Sequence, residues 1–258
     1  MSYAASASAF AQSAPLSTQM TPARRLAQAL RAWERNARDA LAWMHPAWLA
    51  HGLGLAEAEA VALARAIPRE RAGACGLALI DNAGYALPDL DALGRAQHAA
   101  CFDALPASAG LNVLRLRALR FRRAELRRIV DKRARASVQE WTGVALERLA
   151  RETPQERASA PDIARLAMAP LATLDADALA FEGLALIERD GRGAGGTGDV
   201  AGDTRAPACP LLRLALPRTP AIAPRWVAQV PREIDANGTR ALIAQLPELL
   251  PEWAWLFG

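Results

Sequence analysis

The sequence is nearly devoid of lysine: of its 31 basic residues over 258 positions, Lys132 alone is not arginine. Arginine with abundant Ala, Gly and Pro is what a GC-rich genome favours, so a pI near 9.5 is not in itself a sign of a nucleic-acid partner. Cysteine is scarce too. Cys75, Cys101 and Cys209 form no Cys-x-x-Cys pair, which excludes a disulfide scaffold and leaves no zinc-site spacing. No run approaches the roughly 18–20 uninterrupted apolar residues of a membrane-spanning helix. With 52% hydrophobic and 22% charged residues, the chain is too apolar for a wholly disordered protein and reads as a folded, soluble one.

Catalytic signatures are missing as well. There is no Gly-x-Ser-x-Gly, no phosphate-loop lysine and no His-Glu-x-x-His. Asp89/Asp91 and Asp175/Asp177 are each two residues apart, on different faces of a helix, and make no ready acid/base pair. Gly191-Arg-Gly-Ala-Gly-Gly196 spells a dinucleotide fingerprint, but that motif requires a helix N-terminus directly after it to meet the pyrophosphate. Thr197, Gly198, Asp199, Gly202 and Pro207 follow instead, so 191–204 reads as a flexible Gly-rich loop. His45, His51, His98 and Cys101 show no metal-ligand spacing. The expectation is therefore no catalytic, cofactor or metal residues, no small-molecule substrate, and a protein that is not an enzyme.

Residues 1–20 are Ala/Ser-rich and uncharged, which reads as a disordered tail. A secretory signal would need a basic start and a continuous apolar stretch. The rest, 21–258, is patterned as a single helical domain. Thr21-Pro22 is a helix start, and Leu26, Leu30, Trp33, Ala37, Leu41 and Met44 recur at spacings of three and four until His45-Pro46 stops them. Further helices are expected over 55–67, 69–80, 111–135, 174–187 and 239–246. Another opens at Pro88-Asp89, with Leu90, Leu93, Gln97 and Cys101 on one face. One more begins at Ser137, where Ser-Val-Gln-Glu140 matches the capping box, and ends at Thr153-Pro154. Pro161-Asp162 starts a short helical turn. Leu212 to Leu216 alternates and reads as a short strand, with 217–232 extended after it. The fold class is mainly α, an irregular helical domain with at most a small β-hairpin near the C-terminus.

Two anomalies stand out. Arg115, Arg117, Arg120, Arg122, Arg123, Arg127, Arg128, Lys132, Arg133 and Arg135 are opposed only by Glu125 and Asp131. With Leu119, Leu126, Ile129 and Val130 on a buried stripe, the arginines cover the remaining surface. That surface suits an acidic protein, a phosphate-rich ligand or an anionic bilayer; a solvated face enriched by codon bias is the plain alternative. Aromatics are not interleaved as in a single-strand groove. The second anomaly is seven tryptophans against two tyrosines. Most read as core anchors, while Trp253 and Trp255 near the end suit an interface hot spot. Arg122, Arg123, Arg127, Arg128, Trp253 and Trp255 are the expected partner-binding residues.

The opening helix and its turn, Leu41-Ala-Trp-Met-His-Pro-Ala-Trp-Leu49, resemble those of the type III secretion sorting-platform proteins of the SctK/YscK class, in the plant-pathogen-type branch. Leu111–Gly143 is similar to that family's leucine- and arginine-studded central helices. Phe181–Arg189 followed by Leu211–Pro217 is similar to its apolar segment and Leu-x-Leu-x-Leu-Pro strand, and Leu242–Phe257 to its last helix and aromatic tail. The resemblance implies a non-enzymatic adaptor in the cytoplasm, peripheral at the base of the secretion apparatus. Its implied partners are the cytoplasmic domain of the injectisome's inner-membrane ring protein and the C-ring-like pod protein, leading to the ATPase complex. Two other readings stay open: a secreted effector exported through residues 1–20, and a helical nucleic-acid-binding regulator using 115–135, whose binding would fall steeply with salt.

Overall fold

The computed structural model describes residues 20–85, 88–149, 166–193 and 207–258. The predicted features at 1–19, Thr153-Pro154, Pro161-Asp162 and 194–204 lie outside them. The chain begins with α1 (Pro22–Arg38), α2 (Ala40–Trp43), α3 (Pro46–Leu53), α4 (Glu57–Ala66), α5 (Arg69–Asn82) and the short α6 (Leu90–Gly94). After a 3-10 turn at Ala99–Ala104 come α7 (Ala107–Phe121), α8 (Arg123–Leu126), α9 (Lys132–Thr142) and α10 (Leu146–Leu149). The last part holds α11 (Ala176–Gly193), α12 (Pro210–Arg213), α13 (Gly238–Leu249) and α14 (Ala254–Phe257). Among the described residues there is no strand.

The central part of the fold is arranged around α7, while Trp33, Met44, Leu49, Leu79 and Ile80 form a second cluster with Leu211 and Leu214. Val113, Leu114, Leu116, Ala118, Leu119 and Phe121 are all buried, so this helix is enclosed rather than amphipathic. Its main neighbour is α11, which buries Leu179, Ala180, Leu184, Leu186 and Ile187. The two backbones touch: a Cβ on Gly183 would lie 1.8 Å from the Leu114 carbonyl oxygen. Only glycine permits that approach, as also at Gly76, where a Cβ would meet the Arg38 and Ala37 carbonyls at 2.8 and 2.9 Å. That second contact seats α5 on the end of α1.

Local signals explain most helix starts. Thr21 accepts from the Arg24 amide with Pro22 at the first helical position. Pro68 and Asp89 precede α5 and α6 as the sequence suggests. Several boundaries differ from expectation. The first helix ends at Arg38, and His45 starts α3 instead of only stopping the previous helix: its Nδ1 accepts from the Ala47 amide at 3.1 Å. The segment after Pro88 is not one helix, since α6 is short and a 3-10 turn carries Cys101. The expected helix 111–135 breaks after Phe121 and again after Leu126. The next one starts at Lys132 rather than Ser137, because the Asp131 carboxylate accepts from the Arg133 and Ala134 amides.

The predicted strand, and the hairpin with it, is corrected. Burial of Leu212, Leu214 and Leu216 with Arg213 and Ala215 half-buried is what an alternating strand would also give, so the backbone hydrogen bonds decide. Pro210 opens α12, and i→i+3 hydrogen bonds then run through Leu214, Ala215 and Leu216. The cap comes from far away: Asp103 accepts from the Leu212 amide at 2.8 Å and the Leu211 amide at 3.2 Å. Within the 217–232 run, expected to be extended, Arg225–Gln229 forms a 3-10 turn that buries Trp226 and Val227.

Asp103 has a consequence for stability. Burial pushes its carboxyl up to about 7, against the two amides that favour its charge. The folded state therefore holds a proton that the unfolded chain has lost above about pH 4. Asp103 thus lowers stability progressively as pH rises from about 4 to about 7, by up to about 4 kcal/mol, with no further change above. Urea unfolding at pH 4.5 and pH 7.5 should show this loss in the wild type and a flatter profile in Asp103→Asn. Equal slopes in the two proteins would refute it.

Candidate interaction surfaces

The arginine-rich segment is two structures. Its first half is internal wiring. Arg115 binds the Ala176 and Trp141 carbonyls at 3.1 Å each, tying α7 to α11 and α9. Arg117, fully buried, donates to Thr239 Oγ1 at 2.9 Å and Asp190 Oδ2 at 2.8 Å, and lies 2.7 Å from Asp235 Oδ2. Burial alone would raise the Asp190 carboxyl, but Arg117, Thr239 and Arg189 outweigh it and hold the group below its usual range. Arg120 reaches Gln245 on α13.

Arg122 and Arg123, expected on the partner-binding surface, lie inside the protein, at 0% and 4% exposure. Arg122 forms a two-point pair with Glu182 (both bonds 2.6 Å) and a third bond to Glu125 at 2.7 Å. Desolvation works against its charge, but the two carboxylates prevail and push its pKa up. Trp226 Nε1 donates to the same Glu182 at 3.3 Å. Arg123 Nη1 lies 3.9 Å from Asp235 Oδ1 and donates to the Arg120 carbonyl. The physical reason for the misreading is that cations on an enclosed helix become favourable once each meets a buried acid. One sequence signal was available: Glu182 is a lone acid in the otherwise apolar stretch 178–187, and such a group needs a cation.

The second half is outside. Arg127 and Arg128 are exposed, as are Lys132, Arg133 and Arg135. Val130, expected on the buried stripe, is 87% exposed. The other three members of that stripe do lie inward, Leu126 and Ile129 packing with Leu119, Val138 and Leu171. The turn joining α8 to α9 is thus a basic tip on an apolar footing.

Trp253 and Trp255 are half-buried, their rings 6.1 Å apart, and pack against the same core cluster as the buried Leu256 and Phe257. They are core anchors with part of each ring left outside. The His45-Pro-x-Trp48 turn has a structural task. His45 N–H donates to the Leu214 carbonyl, Trp48 Nε1 donates to the Leu216 carbonyl, and the Arg213 and Arg218 guanidiniums each lie 5.2 Å from the Trp48 ring. Beside it is an open cleft of about 590 Å³ whose lining includes His45, His51, Glu57, Pro217 and Arg218. Among the described residues, no three His, Cys, Asp or Glu side chains are grouped to hold a metal ion. His98, like His45, caps a turn through Nδ1.

A family model described as bacterial type III secretion protein (HrpB4) matches residues 20–252. The chain belongs to the HrpB4 family. No curated protein and no solved structure matches it. The match agrees with the type III secretion resemblance read from the sequence, and the SctK/YscK class is consistent with it. Within this HrpB4-family chain, the match takes in the central α7–α11 pair, the basic tip and the His-Pro-x-Trp turn, and stops just before Trp253. No helix among the described residues is long and apolar enough to cross a membrane.

Proposed function

We propose that this chain is a non-enzymatic adaptor of the type III secretion sorting platform, held on the cytoplasmic side at the base of the injectisome. It joins the cytoplasmic domain of the inner-membrane ring protein to the C-ring-like pod protein, and through it to the ATPase complex. The observation that carries the reading is the HrpB4 match across residues 20–252. The arrangement of the molecule suits it: Arg117 and Arg122 are committed to buried acids, while Arg127 and Arg128 are exposed and Trp253 and Trp255 are half-buried. Half-buried tryptophans set on a packed core are the kind of rigid anchor that protein interfaces use.

Affinity capture of the tagged full chain from secretion-induced cells tests this. Ring and pod proteins should be recovered together, and loss of the pod protein should leave ring capture intact. Recovery of neither, or release of the chain into the medium as cargo, would overturn the adaptor role.

A further inference from the structure

The tip between α8 and α9 joins a fully projecting apolar side chain to a run of exposed cations. Val130 is the most exposed large apolar side chain among the described residues, at 87%. The next is Leu90, at 52%. Around Val130 in sequence stand Arg127, Arg128, Lys132, Arg133 and Arg135, all exposed, with one acid, Asp131. These nine positions carry a net charge of +4, as much as the formal charge of the whole chain. The Asp131 carboxylate is occupied in capping α9 through the Arg133 and Ala134 amides. Leu126 and Ile129 pin the base of the turn to the core, so Val130 and the cations are held outward on a fixed footing.

We infer that this tip is a direct contact for an anionic bilayer surface, with Val130 entering between headgroups and the surrounding cations meeting lipid phosphates. The chemistry favours lipid over a protein groove. Protein hot spots centre on large side chains seated in complementary pockets, whereas the apolar group at this tip is one short aliphatic side chain standing clear of the surface within a ring of cations. A fluid bilayer moulds itself to such a projection. Each Lys or Arg near an anionic membrane surface contributes roughly a fivefold gain in binding, and the gain is screened by salt. A single aliphatic side chain adds too little for permanent insertion, so the attachment is reversible and needs both parts. The inference does not depend on the adaptor role, since it rests on the tip alone.

The test is flotation of the purified full chain with vesicles of phosphatidylcholine alone or with about a third phosphatidylglycerol. The wild type should bind the anionic vesicles at least tenfold better than the neutral ones at 0.1 M salt, and lose that binding at 0.5 M. Arg128→Glu/Lys132→Glu/Arg133→Glu should lower it at least tenfold. Val130→Asp should lower it severalfold, with the thermal melt of each variant unchanged. Wild-type indifference to phosphatidylglycerol overturns the inference, whatever is captured from cells. So does equal binding by the triple variant. Binding that survives Val130→Asp but not charge reversal overturns the role given to Val130. Loss of pod or ring capture in the triple variant, without wild-type vesicle binding, makes the tip a protein contact and the inference wrong.

Discussion

Arg122→Ala should destabilise the protein by about 3–5 kcal/mol and lower its Tm by roughly 10 °C or more, measured by thermal and urea unfolding. The mutation does more than remove hydrogen bonds. It leaves Glu182, 3% exposed, beneath Trp226 without its two-point partner, and a buried carboxylate with no counter-charge is costly. Glu125 also loses a bond, although it keeps the Leu171 amide at 2.5 Å. Removing both charges is a different matter. Arg122→Met with Glu182→Leu should recover most of the loss, because desolvation of the pair offsets much of its attraction. A single substitution costing less than about 1 kcal/mol, or a double no better than the single, would mean that the pair is not enclosed as described.

Gly183→Ala should be at least as damaging, by about 3 kcal/mol or more. The added methyl would sit 1.8 Å from the Leu114 carbonyl oxygen, which belongs to a backbone and cannot swing away. Relief requires α7 and α11 to separate, and that opens the central contact of the fold. The matched control is Gly191→Ala in the same helix, where nothing lies within 4 Å of the new atom. There the better helix propensity of alanine should make the change neutral or stabilising by up to about 1 kcal/mol. Similar unfolding midpoints for the two variants would refute the close approach.

How much of this was legible beforehand varied with the range of the interaction. Where the signal is local, the sequence reading was close: Thr21-Pro22 starts α1, Pro68 precedes α5, and Asp89 caps α6. It failed where a residue far along the chain decides. Leu212–Leu216 has the alternation of a strand, yet Asp103, more than a hundred residues away in sequence, caps it as a helical turn. The arginines of α7 had the composition of a surface, and their burial follows from Glu182, Asp190 and Asp235, which no window around residue 120 contains. Arg127 and Arg128 do lie on the surface, in the turn between Leu126 and Ile129, which both pack inward. Val130, expected inward, is exposed, one residue beyond the inward place that Ile129 takes.

The long reach of those pairings has a consequence in time. Arg117 and the Thr239 hydroxyl it binds are 122 residues apart. At about 5–20 residues per second, a ribosome making this chain would spend roughly 6–25 s between the two. For about the first half of that interval none of Glu182, Asp190 and Asp235 has been translated, and α7 is a cationic apolar helix without its distant acids. A newborn chain in that condition is a natural client for a holding chaperone, and the rate of synthesis across residues 117–239 should bear on its yield as much as any single contact in the finished protein.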